Sequence, residues 1–238
     1  MRADTCRQVI ADEPNTMRRF LLLVVVLAMC MVMHAQGYCF DIEGTRLEYV
    51  RKHPRDGKFC WRHILIVTEV ETKGATQRIV STSGFFKANG KPLNKGDVIE
   101  EVFIDEHDNV RGDLGEAVAS YVKSRTGLKC SGTGSITVLP SDMQPGDTLP
   151  MASATVKVGP LKYQVKVYDR KVLREETISV PAGTFKCIVL EENRIESGPG
   201  HNKNVRNLTW YSKGIGFVRH DTYVDGVLDT SEILYDKN

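Results

Sequence analysis

The chain has 238 residues, and its 32 Lys and Arg against 30 Asp and Glu leave a formal net charge of +2. A balance so close to neutral excludes a nucleic-acid binder, which needs excess cations to displace counterions from a phosphate backbone. With 26% charged and 41% hydrophobic residues and no low-complexity tract, the chain is globular rather than disordered.

The first feature in chain order is a leader. Residues 20–33 (FLLLVVVLAMCMVM) are 14 consecutive apolar residues, preceded by Arg18 and Arg19 and followed by His34, Ala35 and Gln36. That succession is a secretory signal peptide, and it is shorter than the roughly 20 apolar residues of a transmembrane helix. Cleavage after Ala35 is expected, leaving residues 36–238 as a single β-rich domain with no transmembrane span, in the periplasm or outside the cell. Met17 stands just ahead of the arginines, so residues 1–16 read equally as an over-extended gene start. The competing reading is a lipoprotein signal with Cys30 lipidated, but Met29 stands where that site takes Gly, Ala or Ser.

Beyond the leader nearly everything reads as strand. Asp56-Gly57, Asn89-Gly90 and Asp225-Gly226 each fall between β-type runs and predict hairpins, because such pairs supply positive φ. Strands are expected at 46–52, 58–70, 77–87, 97–105, 161–167, 185–197, 205–212, 216–224 and 227–235. Within them ILIV (64–67) is apolar on both faces and reads as a central strand, while LKYQVKV (161–167) alternates strictly and has one dry face. Only residues 114–125 (LGEAVASYVKSR) have helical spacing, with Asp113 placed as N-cap. Residues 131–151 hold Gly132, Gly134, Pro140, Pro145, Gly146 and Pro150 and are expected to form a loop between two groups of strands. The fold class is all-β, a strongly curved antiparallel sheet or open half-barrel with one short helix.

Four cysteines follow the leader: Cys39, Cys60, Cys130 and Cys187. An oxidising compartment permits one or two disulfides, and spacing alone ranks none of the three complete pairings. Cys39 with Cys130 is the expected bond. Cys39 lies where a tether restrains a fraying end, whereas Cys187 sits in an apolar run and reads as a packed thiol.

The C-terminal half carries three phrases in order: TLPMASATVKV (148–158), YDRKVLREETISVPAGTFKC (168–187) and TWYSKGIGFVRHDTYVDGVLDTSEIL (209–234). A strand ending in E-x-I-x-V-P-A-G-T-F-x-C, a W-Y-x-x-G-I-G-x-V strand and a final hairpin resemble the TapB-like domain family of secreted and periplasmic proteins of Gram-negative bacteria. The layout covers about residues 36–234, with the specific phrases within 149–234. Cys60 and the 114–125 helix are departures from it. The resemblance implies a curved antiparallel sheet able to hold an apolar ligand, and it brings no catalytic residues.

Candidate chemistry is sparse. The histidines at 53, 63, 107, 201 and 220 form no H-x-H, H-x-x-H or H-x-x-x-H pair, so no metal site is assigned; His63, in the central strand, is the one that merits attention. Asp105, Glu106, Asp108, Asn109 and Asp113 fail the EF-hand spacing and read as a solvated turn. GTGS (132–135) has neither the strand-turn-helix context of a nucleophile elbow nor the Gly-Lys of a P-loop. Arg51, Lys52, His53, Arg55 and Lys58 read as a solvated sheet edge, and Arg111-Gly112-Asp113 carries little weight. Asn207-Leu208-Thr209 fits a glycosylation pattern but falls in an expected strand; Thr148 fits an Asp-Thr-apolar O-glycosylation acceptor.

No catalytic residue and no cofactor is therefore assigned, and the protein is expected not to be an enzyme. The leading expectation is a carrier of a lipophilic small molecule in the hollow of the sheet, with Trp61, Tyr163, Val165 and Trp210 as ligand-binding residues. The alternative is a module that binds an envelope protein or a glycan through an exposed edge or aromatic face.

Overall fold

Fourteen strands and one helix make up the ordered backbone of the described residues, 37–238 of the computed structural model. The expected signal peptide, its cleavage site and Cys30 lie outside them. In order these are β1 (Arg46–Lys52), β2 (Phe59–Lys73), β3 (Thr76–Phe86), β4 (Val98–Ile104), β5 (Val110–Asp113), α1 (Leu114–Thr126), β6 (Cys130–Gly134) and β7 (Ile136–Leu139). They continue with β8 (Thr148–Leu149), β9 (Ala152–Val158), β10 (Leu161–Val180), β11 (Gly183–Gly198), β12 (His201–Ser212), β13 (Gly216–Val224) and β14 (Val227–Lys237).

One antiparallel sheet holds all of them in the order β6-β9-β10-β11-β12-β13-β14-β1-β2-β3-β4-β5-β7, with β8 extending the edge of β10. The two strands at the ends of this order are consecutive in the chain and separated only by Ser135. β6 pairs with β9 and β7 with β5, and no ladder joins β6 to β7. The sheet is thus an all-β, nearly closed barrel with one unsealed seam. Local chemistry sets the turns: Asp225 (φ 49°) and Gly226 (φ 77°) make the two-residue connection between paired Val224 and Val227.

The helix follows its expected start. Asp113 accepts hydrogen bonds from the backbone N–H of Gly115 (2.7 Å) and Glu116 (3.0 Å), and Gly127 at φ 72° ends the helix. α1 lies across the seam, with Ala119 packed on Val156 and Val158 of β9 and Tyr121 edge-on to Phe85 of β3. This docking needs glycine. A Cβ on Gly132 would overlap the carbonyl oxygen of Gly115, and a Cβ on Gly115 would sit 2.5 Å from the carbonyl carbon of Thr133.

Three expectations change here. Residues 131–151 are not a continuous loop but contain most of β6, all of β7 and β8, with Pro140, Pro145 and Pro150 confined to the connections. Gly132 and Gly134 serve close approach of helix and strand, while Gly146, at φ 101°, does turn the chain. Likewise β10 does not stop at 167 but runs to Val180 through a bulge after Tyr168, where Asp169 takes φ 50°. The expected Cys39–Cys130 disulfide is absent: all four cysteines are free. Cys39 is committed to a cluster with Val67, Ile79, Ile104 and Val110, while Cys130 opens β6 against Val158 and the helix, in a separate cluster. Burial pushes the Cys39 thiol up to about 12 and the Cys187 thiol up to about 11, so neither is a ready thiolate.

Candidate ligand-binding site

Residues directly paired across antiparallel strands lie on the same face. One such row runs Trp61, Arg51, Glu232, His220, Thr209, Leu190, Val172. A second runs Phe85, His63, Tyr49, Leu234. A third runs Thr230, Thr222, Asn207, Glu192. His63, Asn207, Thr209, Thr222, Thr230 and Glu232 are all buried, whereas Ile66 and Ile99, at alternate positions of β2 and β4, are 39% and 56% exposed. Over β2–β4 the buried face is the concave one, and its centre is polar; over β11–β13 the opposite face is buried as well, by Val189, Leu208, Trp210 and Asp221.

Arg51 organises that centre. Its guanidinium donates to Thr222 Oγ1 (2.7 Å), Thr230 Oγ1 (2.6 Å) and Glu232 Oε2 (3.2 Å), and it lies 4.8 Å above the Trp61 ring. This overturns its reading as part of a solvated edge: Lys52, Arg55 and Lys58 are exposed, but Arg51 alternates inward. The other carboxylate oxygen of Glu232 lies 3.1 Å from His63 Nδ1. Burial raises the Glu232 pKa, but the His63 hydrogen bond and the charges of His63 and Arg51 outweigh it and hold the carboxyl at about 2. A carboxylate has no proton to give, so His63 Nδ1–H is the donor. His220, 2.9 Å from Thr209 Oγ1, is lowered by burial and by Arg51 to about 4, so it is neutral at pH 7.

The polar centre is incompletely satisfied. His63 Nε2, Asn207 Oδ1 and Trp61 Nε1 are buried with no hydrogen-bond partner, although native interiors leave few such atoms. The His63 ring is fixed on both sides, stacked 4.4 Å from Phe85 and 5.3 Å from Tyr49, so it cannot swing away to find a partner.

The wall has a gap beside this centre. β5 pairs with β4 only at Val102, Phe103 and Ile104, so the β4 edge below them is unpaired apart from the Ile99 N–H, which donates to Ser120 Oγ of α1 (2.8 Å). A cavity of about 500 Å³ occupies the gap. It is lined by Glu100, Val102 and Tyr211 of the concave face and by Arg78, Val80, Ile99 and Glu101 of the convex face, with Glu116 and Ala117 of α1 across from them. It therefore passes the free edge of β4 from outside to inside. Arg78 is already engaged by Glu101 and Glu69. Burial raises the pKa of Glu100, and the one charge that opposes this is His63.

The four residues expected to bind ligand are not brought together. Trp61 lies against Arg51 and Phe85. Trp210 is buried in the apolar core and donates from Nε1 to Glu176 (3.0 Å). Tyr163 packs beside Gly198 and the Ala119–Val156–Val158 cluster, and Val165 pairs with Ala154 and lines a shallow groove of about 480 Å³ over β9 and β10. Sequence reasoning did isolate His63. It missed Glu232, Glu100, His220 and Tyr211, whose only local signal is a polar residue at an inward position of an otherwise apolar alternation. The Asn207 pattern is only 4% exposed, which closes it to glycosylation.

A domain-family model described as DUF3108-like matches residues 40–231. The chain belongs to the DUF3108-like family. Its fold is shared by a Bacteroides fragilis protein described as exported and YmcC-like in fold, at TM-score 0.70 and 20% identity over 85% of this chain and 99% of that one. A Parabacteroides distasonis protein described as a lipoprotein is similar at TM-score 0.71 and 20% identity, again over 85% of this chain and 99% of that one. No curated protein matches. Among the described residues of this DUF3108-like protein, no helix is long and apolar enough to cross a membrane.

Proposed function

We propose that this DUF3108-like protein is a non-enzymatic binding protein of the Gram-negative periplasm or cell exterior that takes a small molecule with an aliphatic body into its barrel. The observation that carries the reading is the cavity of about 500 Å³ that passes the free edge of β4 and ends at Glu100 and Tyr211 on the concave face. That volume lies in the usual range for small-molecule sites. Apolar side chains suited to an aliphatic body flank Glu100 on the same face of β4: buried Val98, and Val102 against Ile79 of β3. The leader expected to end at Ala35, the TapB-like phrases and the descriptions of the two structural neighbours support the location.

Titration with the neutral lipophilic dye Nile red tests this. Saturable one-to-one binding is expected, and Ala117→Phe, which fills the mouth from a helix position, is expected to abolish it while changing Tm by only a few degrees. Dye binding that does not saturate, or that survives in Ala117→Phe, would count against the barrel as the site. An envelope protein or glycan ligand remains the second reading, favoured by the exposed Ile66 and Ile99 on the convex face.

A further inference from the structure

We infer that the open face of β6, β9, β10 and β11 binds an anionic polysaccharide. This surface is separate from the barrel cavity and stands without it. On β9 the side chains of Val156 and Val158 turn toward α1, so the alternate residues face solvent on the opposite side. Cross-strand pairing sets those residues in rows. Lys157 and Lys162 are direct partners, with Ser131 beside them. The next row is Thr133, Thr155, Gln164, Ser197 and Asn202, and the one after it holds Ser153 and Lys166. Alternate residues of a strand lie about 7 Å apart, so a strip of uncharged hydroxyl and amide groups runs between two lines of cations.

The cations lack counter-ions. Like charges directly opposite one another destabilise a sheet, yet Lys157 faces Lys162. Among the described residues neither of them, nor Lys166, has a carboxylate within ion-pair distance, whereas Lys186 on β11 has Glu175 at 2.8 Å. The acids of β10 and β11 around them are engaged elsewhere. Glu196 pairs with Val165 on the other face and binds Arg194, Glu191 is held by Arg206 (2.6 Å), and Asp169 accepts from Asn193. Lysine also guards sheet edges against strand addition, but β9 and β10 are paired on both sides.

A groove between the cations selects sugar. About 480 Å³ in volume, it crosses β6, β9 and β10, and its polar lining is Thr133, Ser135, Ser153, Thr155, Gln164 and Lys166. Hydroxyls and amides donate and accept, as sugar hydroxyls do. A protein partner calls for aromatic or aliphatic anchors and a membrane for apolar side chains to insert. Here Ile195 and Tyr168 are half-buried, and Lys166 Nζ lies 5.3 Å above the Tyr168 ring.

The test measures binding of the residue 36–238 protein to polygalacturonate, its uncharged methyl ester, polyglutamate and phosphatidylglycerol vesicles. Polygalacturonate is expected to bind about 10-fold tighter than the ester and than polyglutamate, and to weaken as salt rises. Lys157→Gln combined with Lys162→Gln is expected to remove the preference over the ester without lowering Tm. Gln164→Ala combined with Asn202→Ala is expected to weaken polygalacturonate and leave polyglutamate unchanged. Lys52→Gln combined with Lys58→Gln removes two exposed cations elsewhere and is expected to change nothing. Equal binding of polyglutamate, or an equal loss in the Lys52 and Lys58 variant, overturns the inference in favour of an acidic protein or of unspecific charge. Binding to the vesicles without binding to polygalacturonate overturns it in favour of a membrane surface. Ala117→Phe is expected to leave polygalacturonate binding intact, so failure of the barrel site and failure of this face are read separately.

Discussion

Three interior side chains make stability depend on pH in ways that can be separated. Glu232 has a folded pKa of about 2 against 4.5 in the unfolded chain, so its contribution is fully present above 4.5 and is lost as pH falls toward 2. His220, near 4 when folded against 6.5 unfolded, works in the same direction over a higher window: the unfolded chain takes up a proton first, and stability falls from pH 6.5 toward 4. Denaturant melts should show His220→Gln flattening that upper limb. Glu232→Gln should lose about 3 kcal/mol at pH 7, the usual cost of breaking a buried pair, because Arg51 is left without its carboxylate. Glu100 runs the other way. Its folded pKa is raised by burial, so the folded state loses stability as pH rises through that pKa, and Glu100→Gln should match the parent at pH 4 and exceed it at pH 8. A parent protein that gains stability relative to Glu100→Gln on going from pH 4 to pH 8 would contradict this assignment.

At the scale of elements, α1 and β6 act as one unit. The helix is held at its start by the Asp113 cap and against β6 by the contact of Gly115 with Gly132 and Thr133, and it forms one wall of the cavity. Asp113→Ala should cost about 1 kcal/mol, the ordinary value of a cap. Gly132→Ala should cost on the order of 1–3 kcal/mol because the new methyl has only backbone to displace. Amide exchange distinguishes the two. Gly132→Ala should lower protection along α1 and β6 while leaving the β12–β13–β14 ladders unchanged, whereas uniform loss across the sheet would mean that the helix is not a separable wall.

For the molecule as a whole, the sheet does what disulfides do in smaller secreted domains. Roughly 200 residues bury enough surface to stand without staples, and the two ends of the strand order are tied through Ser135. Alkylation of the unfolded protein should therefore find Cys39, Cys60, Cys130 and Cys187 all reactive, and a reductant should leave Tm unchanged. A reductant-sensitive Tm would reinstate a bond.

The strands at 46–52 and 216–224, the capped helix at Leu114 and the Asp225-Gly226 hairpin were all legible in the sequence, because turn chemistry and alternation act over a few residues. Antiparallel all-β architecture follows from those local signals together. The site was only hinted at, through His63. Arg51, Glu100 and Glu232 are ordinary charged residues in their own segments, and nothing local tells an inward Arg51 from the exposed Lys52 beside it. Their meaning comes from register: Arg51 opposes Glu232 across 181 positions of chain, and His63, one strand further on, reaches the same carboxylate across 169. Likewise Gly132 and Gly134 read as a loop until the helix is laid on them. Sequence by itself determined the longer alternating strands, the capped helix and the Asp-Gly turns, because those signals act over a few residues. Only the closing of the sheet decided which polar residues share the interior and where the wall stays open, since those depend on contacts between residues far apart in the chain.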